Sequence, residues 1–274
     1  MFTTVKDQHM ITLHNNKNAI VGCNSKMPKE NNCVAIVTGA STGIGLEISR
    51  TLARHGYSIA MTTRNAKNLK DIVTEPVFRN VSVLPIELEL LSEKSISETI
   101  QKVNTEFGRV DVLVNNAAIA LVKPAVDVDW DDWDTVVNAN LKGSFFLSSQ
   151  FAKLCVDSKQ SGAIVNIAST HGLLGFAGRS VYGISKGGMV QMARMLAIEW
   201  AENSIRVNTV SPGTVMTDSR EKSLNKEAQI KMLKRIPYGR FPKAKDVAEA
   251  VLYLIEAENV TGQNIVVDGG MSVT

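Results

Sequence analysis

Cysteine is scarce in this 274-residue chain, and Cys23, Cys33 and Cys155 follow no spacing typical of a metal site or a redox pair. Their odd number argues against a disulfide framework, and we expect a reduced, cytoplasmic protein. The four histidines are scattered along the chain. The sequence therefore predicts no metal site.

Long apolar runs and a strong charge imbalance are also absent. No unbroken apolar stretch reaches the ~18 residues that a membrane-spanning helix needs, so we expect no membrane partner. The formal net charge of +3 is too small to indicate binding to nucleic acid. No internal repeat, low-complexity tract or Pro/Gly/Ser-rich linker interrupts the chain after Val34, which favours one folded domain.

Residues 1–32 differ from the rest of the chain because they are polar, rich in Asn and Lys, and without a clear period. They contain no basic region followed by an apolar stretch, so we interpret them as a flexible extension rather than a secretory signal. Over residues 33–274, apolar strands alternate with amphipathic helices. This alternation predicts an α/β fold, a doubly wound, Rossmann-type parallel sheet with helices on both faces.

The clearest local pattern near the start of that domain is an apolar run that ends at Thr38 and is followed by Gly39, Gly43 and Gly45. Residues 46–53 then carry apolar side chains at helical spacing. A strand, a glycine turn and a helix in this order are typical of a dinucleotide-binding site. The glycines allow the sharp turn and close approach of backbone to pyrophosphate, and the helix N-terminus offers unpaired N–H groups.

A second pattern places Tyr182 and Lys186 one helical turn apart, with Ser169 thirteen residues upstream of the tyrosine. A lysine cation beside a phenol favours the phenolate, so we expect Lys186 to lower the pKa of Tyr182 toward a range useful for proton transfer. His171 follows Ser169 closely. We interpret it as a loop residue at the rim of a pocket, because no nucleophile–base–carboxylate arrangement is visible.

Seven segments together resemble the short-chain dehydrogenase/reductase family, from about Val34 to Gly270. They are TGASTGIG (Thr38–Gly45), VDVLVNNAA (Val110–Ala118, with Ala118 in place of the usual glycine), VNANLKG (Val137–Gly143), IVNIAS (Ile164–Ser169), YGISK (Tyr182–Lys186), IRVNTVSPGTVMT (Ile205–Thr217) and VTGQNIVVDGG (Val260–Gly270). Within the family, the chain most resembles the 3-oxoacyl-[acyl-carrier-protein] reductases.

The resemblance implies a catalytic tetrad. In it, Tyr182 is the general acid or base, and Ser169 donates a hydrogen bond to the substrate oxygen. Lys186 holds the nicotinamide ribose, and Asn140 anchors a water that connects Lys186 to solvent. Each residue alone also has an ordinary structural explanation, such as a turn cap for Ser169 or a local bond within its helix for Asn140.

The resemblance also implies contacts to a nicotinamide cofactor. These fall on Gly39, Ser41, Thr42, Gly43, Ile44, Gly45, Arg64, Asn116, Ala117, Tyr182, Lys186, Pro212, Gly213, Val215 and Thr217. Thr63 stands where NAD-preferring members usually carry Asp, and the planar guanidinium of Arg64 suits a 2′-phosphate. We therefore expect NADP(H) to be preferred over NAD(H); the alternative is that Arg64 is a solvated loop residue and that selectivity is set elsewhere. Glu89 stands where the family has an adenine-contacting Asp.

The expected activity is hydride transfer between the nicotinamide and a carbonyl or alcohol carbon. The resemblance favours NADPH-dependent reduction of a 3-oxoacyl thioester or similar ketone, with the acyl group on acyl carrier protein or coenzyme A. An alcohol, polyol or steroid dehydrogenase with the same tetrad is an alternative, as is a catalytically silent dinucleotide-sensing protein. The lid, at about residues 218–238, is basic, which fits either an anionic substrate or a solvated helix face. The family resemblance further implies a homotetramer or homodimer, formed through helices near residues 127–152 and 182–202.

Overall fold

The computed structural model describes residues 33–217, 220–221 and 225–274. In this part of the chain, seven strands form one sheet: β1 (Val34–Val37), β2 (Ser58–Thr63), β3 (Val83–Glu87), β4 (Val112–Asn115), β5 (Gly162–Ile167), β6 (Ile205–Pro212) and β7 (Asn264–Val267). Their order is β3-β2-β1-β4-β5-β6-β7, and every pairing is parallel. The carboxyl ends of all strands therefore lie along one edge, where ligands bind in open α/β sheets.

Helices connect the strands and cover both faces of the sheet. They are α1 (Gly43–Arg54), α2 (Glu93–Phe107), α3 (Trp130–Val137), α4 (Ser144–Ser158), α5 (Ser180–Glu199), α6 (Lys226–Leu233) and α7 (Ala244–Glu256). A π-helical segment, Asn138–Gly143, joins α3 to α4 without a break. The doubly wound parallel sheet predicted from the sequence is confirmed.

Two apolar cores lie on opposite faces of the sheet, and the alternation within each strand divides the side chains between them. In β1, Ala35 and Val37 join the core that includes residues of α1 and α7. Val34 and Ile36 join the core that includes residues of α2, α4 and α5. All four β1 side chains are buried, as expected of a strand at the centre of a covered parallel sheet.

The predicted element bounds differ from the observed ones by a few residues. Thr63, which stands where NAD-preferring members usually carry Asp, is the last residue of β2 (Ser58–Thr63). The helix expected from residue 127 begins at Trp130, because the Asp129 side chain accepts a hydrogen bond from the Asp132 amide at 2.8 Å and caps the first turn. The predicted 182–202 helix is α5, whose helical residues are 180–199.

Two predicted segments fall wholly or partly outside the described residues. The predicted extension 1–32 lies outside the described residues, as do positions 218–219 and 222–224 of the predicted lid. No helix among the described residues has the length and apolar character needed to cross a membrane. The same residues contain no group of His, Cys, Asp and Glu side chains that could hold a metal.

Cys33 is disulfide-bonded, although the odd number of cysteines argued against a disulfide framework. An odd number of cysteines excludes only complete pairing, and it leaves room for one pair and one free thiol. Cys155 is a free, buried thiol, and burial raises its pKa to about 12, so it stays protonated at neutral pH.

Candidate active site

The glycine turn after β1 has the backbone that its sequence predicts. Gly39 and Gly43 have φ values of 64° and 58°, in the left-handed region that favours glycine. Gly45 lies in the first turn of α1, where an added methyl group would collide with the Gly39 carbonyl oxygen and the Asn116 amide. The turn therefore brings bare backbone to the carboxyl edge of the sheet, immediately before the start of α1.

Side chains from two strand ends hold this turn in place. The Thr38 hydroxyl accepts hydrogen bonds from the backbone amides of Asn116 and Ala117, both at 2.9 Å. The Asn116 side-chain amide donates to the Thr38 carbonyl at 2.8 Å and to the Gly39 carbonyl at 3.2 Å. We predicted that Asn116 contacts the cofactor. In the structure its side-chain amide nitrogen supports the glycine turn. Thr38 was not among the predicted site residues.

A cavity of about 720 Å³ opens at the glycine turn. The predicted cofactor residues that line it are Gly39, Ser41, Thr42, Gly43, Ile44, Arg64, Asn116, Ala117 and Thr217. Thr63 and Glu89 line it as well, and the Glu89 carboxylate accepts a hydrogen bond from the Leu91 amide at 3.0 Å. A cavity beside glycine backbone and a helix N-terminus is suited to the adenosine and pyrophosphate of a dinucleotide.

A second cavity of about 520 Å³ adjoins the first. The predicted site residues that line it are Ile44, Asn116, Ser169, Tyr182, Lys186, Pro212, Gly213, Val215 and Thr217. Ile44, Asn116 and Thr217 line both cavities, so the two form one continuous groove across the edge of the sheet. Three of the four predicted tetrad residues, Ser169, Tyr182 and Lys186, thus line one cavity next to the cavity at the glycine turn.

Lys186 extends from α5 into the protein interior, where its side chain is only 2% exposed. Its ammonium nitrogen donates to the Ile167 carbonyl oxygen at 2.7 Å and lies 3.3 Å from the Met189 sulfur. Burial lowers the pKa of Lys186 to about 7, because the apolar surroundings disfavour the charged form. This lysine can therefore change its protonation state near neutral pH.

The expectation that Lys186 lowers the pKa of Tyr182 does not hold in this structure. Burial raises the pKa of Tyr182, and the hydrogen bond to Ser169 and the charges of Arg179 and Arg220 offset only part of that rise. The Lys186 ammonium lies 5.8 Å from the centroid of the Tyr182 ring and is directed to the end of β5. Burial, which helical spacing does not reveal, is the stronger effect on this phenol.

Ser169 caps the short turn that follows β5, and its hydroxyl oxygen accepts a hydrogen bond from the His171 amide at 3.2 Å. The hydroxyl oxygen also lies 3.1 Å from Nδ1 of His171. Burial, and then the positive charges of Arg179, Arg220 and Arg235, lower the pKa of His171 to about 4, so the imidazole is neutral at pH 7. His171 lines the second cavity, as its interpretation as a pocket residue predicts.

Asn140 lies in the π-helical segment and is fully buried. Its side chain accepts a hydrogen bond from the Ile119 amide at 2.7 Å and donates to the Ile119 carbonyl at 2.9 Å. It also donates to the Ser185 hydroxyl at 3.1 Å, which in turn donates to the Tyr182 carbonyl at 2.8 Å. Asn140 does not line the second cavity, but it connects the strand-end loop after β4 to the helix that carries Tyr182.

Three side chains near the site were not predicted as functional. The Ser185 hydroxyl accepts a hydrogen bond from the Asn140 side chain and so links Asn140 to α5. Arg179 and Arg220 line the second cavity beside Tyr182. Arg179 lies three residues before Tyr182, so its spacing was a sign that it lies near the tyrosine. Nothing in the sequence distinguishes Arg220 from the other charged residues of the predicted lid.

Comparisons with known proteins agree with this geometry. A family profile described as Enoyl-(Acyl carrier protein) reductase matches residues 39–272. The chain is 37% identical over 242 residues to the 3-oxoacyl-[acyl-carrier-protein] reductase FabG of Thermotoga maritima, a match that covers 88% of this chain and 98% of that protein. The chain belongs to the short-chain dehydrogenase/reductase family. As a member of that family it is an oxidoreductase, which confirms the enzyme class predicted from its motifs.

Two further short-chain dehydrogenase/reductases show the same extent of similarity. The 3-oxoacyl-[acyl-carrier-protein] reductase of Bos taurus is 38% identical over 241 residues, covering 88% of this chain and 98% of its own. The crystal structure of a short-chain type dehydrogenase/reductase from Mycobacterium marinum matches with a TM-score of 0.84 at 28% identity, covering 89% of this chain and 97% of that one. The similarity thus spans nearly the whole described domain.

Proposed function

We propose that this enzyme uses NADPH to reduce a ketone, with Tyr182 as the proton donor and a 3-oxoacyl thioester as the substrate. The observation that carries the proposal is that Ser169, Tyr182 and Lys186 line one cavity, which continues into the cavity at the glycine turn. The thioester is suggested by the names of the relatives from Thermotoga maritima and Bos taurus, both 3-oxoacyl-[acyl-carrier-protein] reductases.

The chemistry divides between the cofactor and the protein. When bound, the reduced nicotinamide supplies a hydride to the carbonyl carbon. The Ser169 hydroxyl would donate a hydrogen bond to the carbonyl oxygen, on which negative charge develops, and Tyr182 would give it a proton. The high pKa of Tyr182 in the free enzyme suits this direction, because the phenol starts in the protonated form that reduction requires.

Lys186 would bind the nicotinamide ribose, since its ammonium reaches the end of β5 at the back of the second cavity. With a pKa of about 7, Lys186 would also be able to supply a proton to replace the one that Tyr182 gives up. Asn140 would act as a positioning residue, since its contacts fix the loop after β4 against α5.

The preference for NADP(H) is proposed from the end of β2. Arg64 is exposed at the rim of the first cavity, beside Ser41 and Thr63, whose hydroxyl oxygens are 3.4 Å apart. These side chains offer a cation and two hydroxyl donors at the position where NAD-preferring members of the family carry an acid. A 2′-phosphate would find charge-assisted hydrogen bonds there.

The test is to measure oxidation of NADPH and NADH in parallel, with acetoacetyl-CoA and a panel of neutral ketones. Turnover of acetoacetyl-CoA with NADPH is the expected result. Tyr182→Phe should reduce kcat by at least about 100-fold, because it removes the transferred proton while keeping the ring. NADPH binding, followed by fluorescence, should stay close to that of the unmodified enzyme.

Other outcomes would point to the alternatives. Oxidation of secondary alcohols or polyols without reduction of the thioester would favour a dehydrogenase with the same residues. Tight NADPH binding, with no turnover of any compound and no effect of Tyr182→Phe, would contradict the reductase proposal and favour a dinucleotide sensor.

A further inference from the structure

His171 is a histidine of the second cavity to which the proposed chemistry assigns no role. It lines that cavity together with Ser169 and Tyr182, and it does not line the cavity at the glycine turn. Nδ1 of its ring lies 3.1 Å from the hydroxyl oxygen of Ser169, and the centroids of the His171 and Tyr182 rings are 5.8 Å apart. The imidazole therefore contacts the residue that we expect to polarise the substrate.

Ring contacts and the backbone hold this imidazole in place. The centroids of the His171 and Phe176 rings are 4.2 Å apart, with 32° between the ring planes. The guanidinium of Arg235, a residue of the predicted lid, lies 4.7 Å from the centroid of the Phe176 ring. A methyl group added to Gly183 would lie only 2.8 Å from the His171 carbonyl oxygen, so this glycine allows the turn to lie directly against α5. The imidazole therefore has a defined position beside Ser169.

The Ser169 hydroxyl has one proton and two lone pairs to share among its neighbours. One lone pair accepts the hydrogen bond from the His171 backbone amide at 3.2 Å. The ring nitrogen Nδ1 either takes the Ser169 proton or donates its own, depending on which nitrogen of the neutral imidazole carries the hydrogen. In the first case the proton that a substrate oxygen needs is already used. In the second case both lone pairs are occupied, and the proton is left for the substrate.

The length of the contact favours Nδ1 as the donor. A distance of 3.1 Å lies within the range of N–H···O hydrogen bonds, whereas hydrogen bonds donated by hydroxyl groups are usually shorter. Burial lowers the pKa of His171 to about 4, so at pH 7 the neutral ring has one proton to place. With that proton on Nδ1, every contact of the Ser169 oxygen given above is satisfied without using the Ser169 proton.

We propose that His171 is a positioning residue, which donates a hydrogen bond from Nδ1 to the Ser169 oxygen and thereby directs the Ser169 proton to the substrate carbonyl. A hydroxyl that accepts hydrogen bonds is also a better donor, because bonds in a chain polarise one another. His171 transfers no proton in this role. The inference rests on the function proposed above, in which Ser169 donates to the carbonyl oxygen, and it names the side chain that orients this donor.

Two variants separate the hydrogen bond from the packing of the ring. His171→Phe keeps an aromatic ring beside Phe176 and removes the donor, so kcat for acetoacetyl-CoA or another reduced ketone should fall about tenfold. His171→Asn keeps an N–H group near the position of Nδ1, and kcat should stay within about threefold of the unmodified enzyme. The KM for NADPH should change little in both, because His171 does not line the cavity at the glycine turn. His55→Phe, which changes an exposed histidine at the end of α1, should leave kcat unchanged.

Ser169→Ala provides a background in which this hydrogen bond cannot act. There His171→Phe should have no further effect on kcat, whereas a merely structural role would lower kcat in both backgrounds. Full kcat in His171→Phe, equal losses in His171→Phe and His171→Asn, or the same loss in the Ser169→Ala background would each overturn the inference. All three results would leave the proposed ketone reduction intact.

The position of the proton is measured independently of turnover. Long-range proton–nitrogen correlation NMR on enzyme with isotope-labelled histidine distinguishes a protonated ring nitrogen from an unprotonated one, and the His171 signal is assigned from its loss in His171→Asn. A proton on Nδ1 is the expected result, and a proton on Nε2 would overturn the inference. If no ketone is reduced, the proposed function has failed and this spectrum decides. A proton on Nδ1 would then still support the orientation of Ser169 by His171, and a proton on Nε2 would reject both.

Discussion

Lys186 carries an ammonium group into a part of the protein where almost no water reaches it. The carbonyl of Ile167 is its main polar partner, and no carboxylate of the described residues forms a hydrogen bond with it. Burying a charge without a counter-charge is costly, and its lowered pKa expresses that cost. The residue that we assign to the cofactor ribose is therefore also a source of instability in the free enzyme.

The pH dependence of stability should reveal this cost. The pKa of Lys186 is lowered from 10.5 to about 7 in the folded protein, so between these values the unfolded chain binds a proton that the folded one has lost. Stability from this group therefore rises with pH across that window. From pH 7 to pH 9 we expect the free energy of unfolding to gain about 2 kcal/mol more in the unmodified protein than in Lys186→Met.

Urea unfolding of the cofactor-free protein at the two pH values measures the effect. Lys102→Met, which changes an exposed lysine of α2, serves as the control and should keep the full pH dependence. Equal pH dependence in Lys186→Met and in the unmodified protein would show that the buried ammonium does not titrate in this range.

The choice of cofactor should depend on one exposed side chain. Arg64→Ala should raise the KM for NADPH by about tenfold, because a charge-assisted hydrogen bond to the 2′-phosphate is lost. The KM for NADH, which has no such phosphate, should change much less. Steady-state kinetics with both cofactors test this, and Arg79→Ala provides an exposed arginine outside the groove as control. Equal effects on both cofactors would remove the argument for NADP(H).

For single residues, the sequence predicted which side chains line the cavity better than it predicted their pKa values. Helical spacing predicted that Tyr182 and Lys186 share one face of their helix, and both line the second cavity. Ser169, which the family resemblance implied, lines it as well. Helical spacing gave the wrong direction for the pKa of Tyr182, because burial depends on the packing of the whole fold. Arg179 was missed although it lies only three residues before Tyr182, because sequence distance alone does not show which side chains line the cavity.

The π-helical segment Asn138–Gly143 is the element that most affects the geometry of the site. A π-turn inserts one extra residue into a helix, and such insertions are frequent at functional sites. Here the segment carries Asn140, whose side chain binds both backbone polar groups of Ile119. The helix from α3 to α4 thereby holds the loop that follows β4.

Removing the Asn140 side chain should weaken this connection. Asn140→Ala leaves the amide and carbonyl of Ile119 without their partner, and we expect a loss of about 2–4 kcal/mol of stability with a lower kcat. Asn138→Ala, in the same segment, is the matched control, because Asn138 makes no side-chain hydrogen bond among the described residues. Thermal unfolding and NADPH turnover measure the two effects. A variant as stable and active as Asn138→Ala would show that the Ile119 contact is dispensable.

At the level of elements, most of the fold could be predicted and the π-segment could not. The glycine turn, the strand before it and α1 followed from local composition, because glycine and branched residues have strong conformational preferences. The apolar pattern from α3 to α4 predicted a helix, which is correct, but an insertion of one residue changes that pattern too little to be recognised. Only the side-chain contacts of Asn140 reveal why the extra residue is there.

The whole molecule exposes apolar side chains on two of its longer helices. Phe145 and Phe146 of α4 are 40% and 46% exposed, and Met195 and Ile198 of α5 are 52% and 77% exposed. Clusters of exposed apolar residues mark surfaces that bind other proteins. They agree with the expected homotetramer or homodimer, in which these two helices would meet their symmetry mates.

An introduced charge on this surface should change the assembly state. Ile198→Glu places a carboxylate where an apolar contact is expected, so we predict a species of lower mass in light scattering coupled to size-exclusion chromatography. Val126→Glu is the control, because Val126 is 92% exposed and lies in a short turn outside both helices. Identical masses for the unmodified protein and both variants would contradict an interface through α5.

The groove at the carboxyl edge of the sheet is assembled from segments that follow six strands, β1 to β6, and α5 contributes Tyr182 and Lys186. The central strand β1 pairs with β2 on one side and with the more distant β4 on the other. While the ribosome is still making the chain, the glycine turn must therefore wait for Asn116, and the groove must wait longer still for Tyr182 and Thr217 to leave the exit tunnel. The nascent protein would be chemically inert until nearly all of its strands have been synthesised, and the onset of turnover would report completion of the sheet.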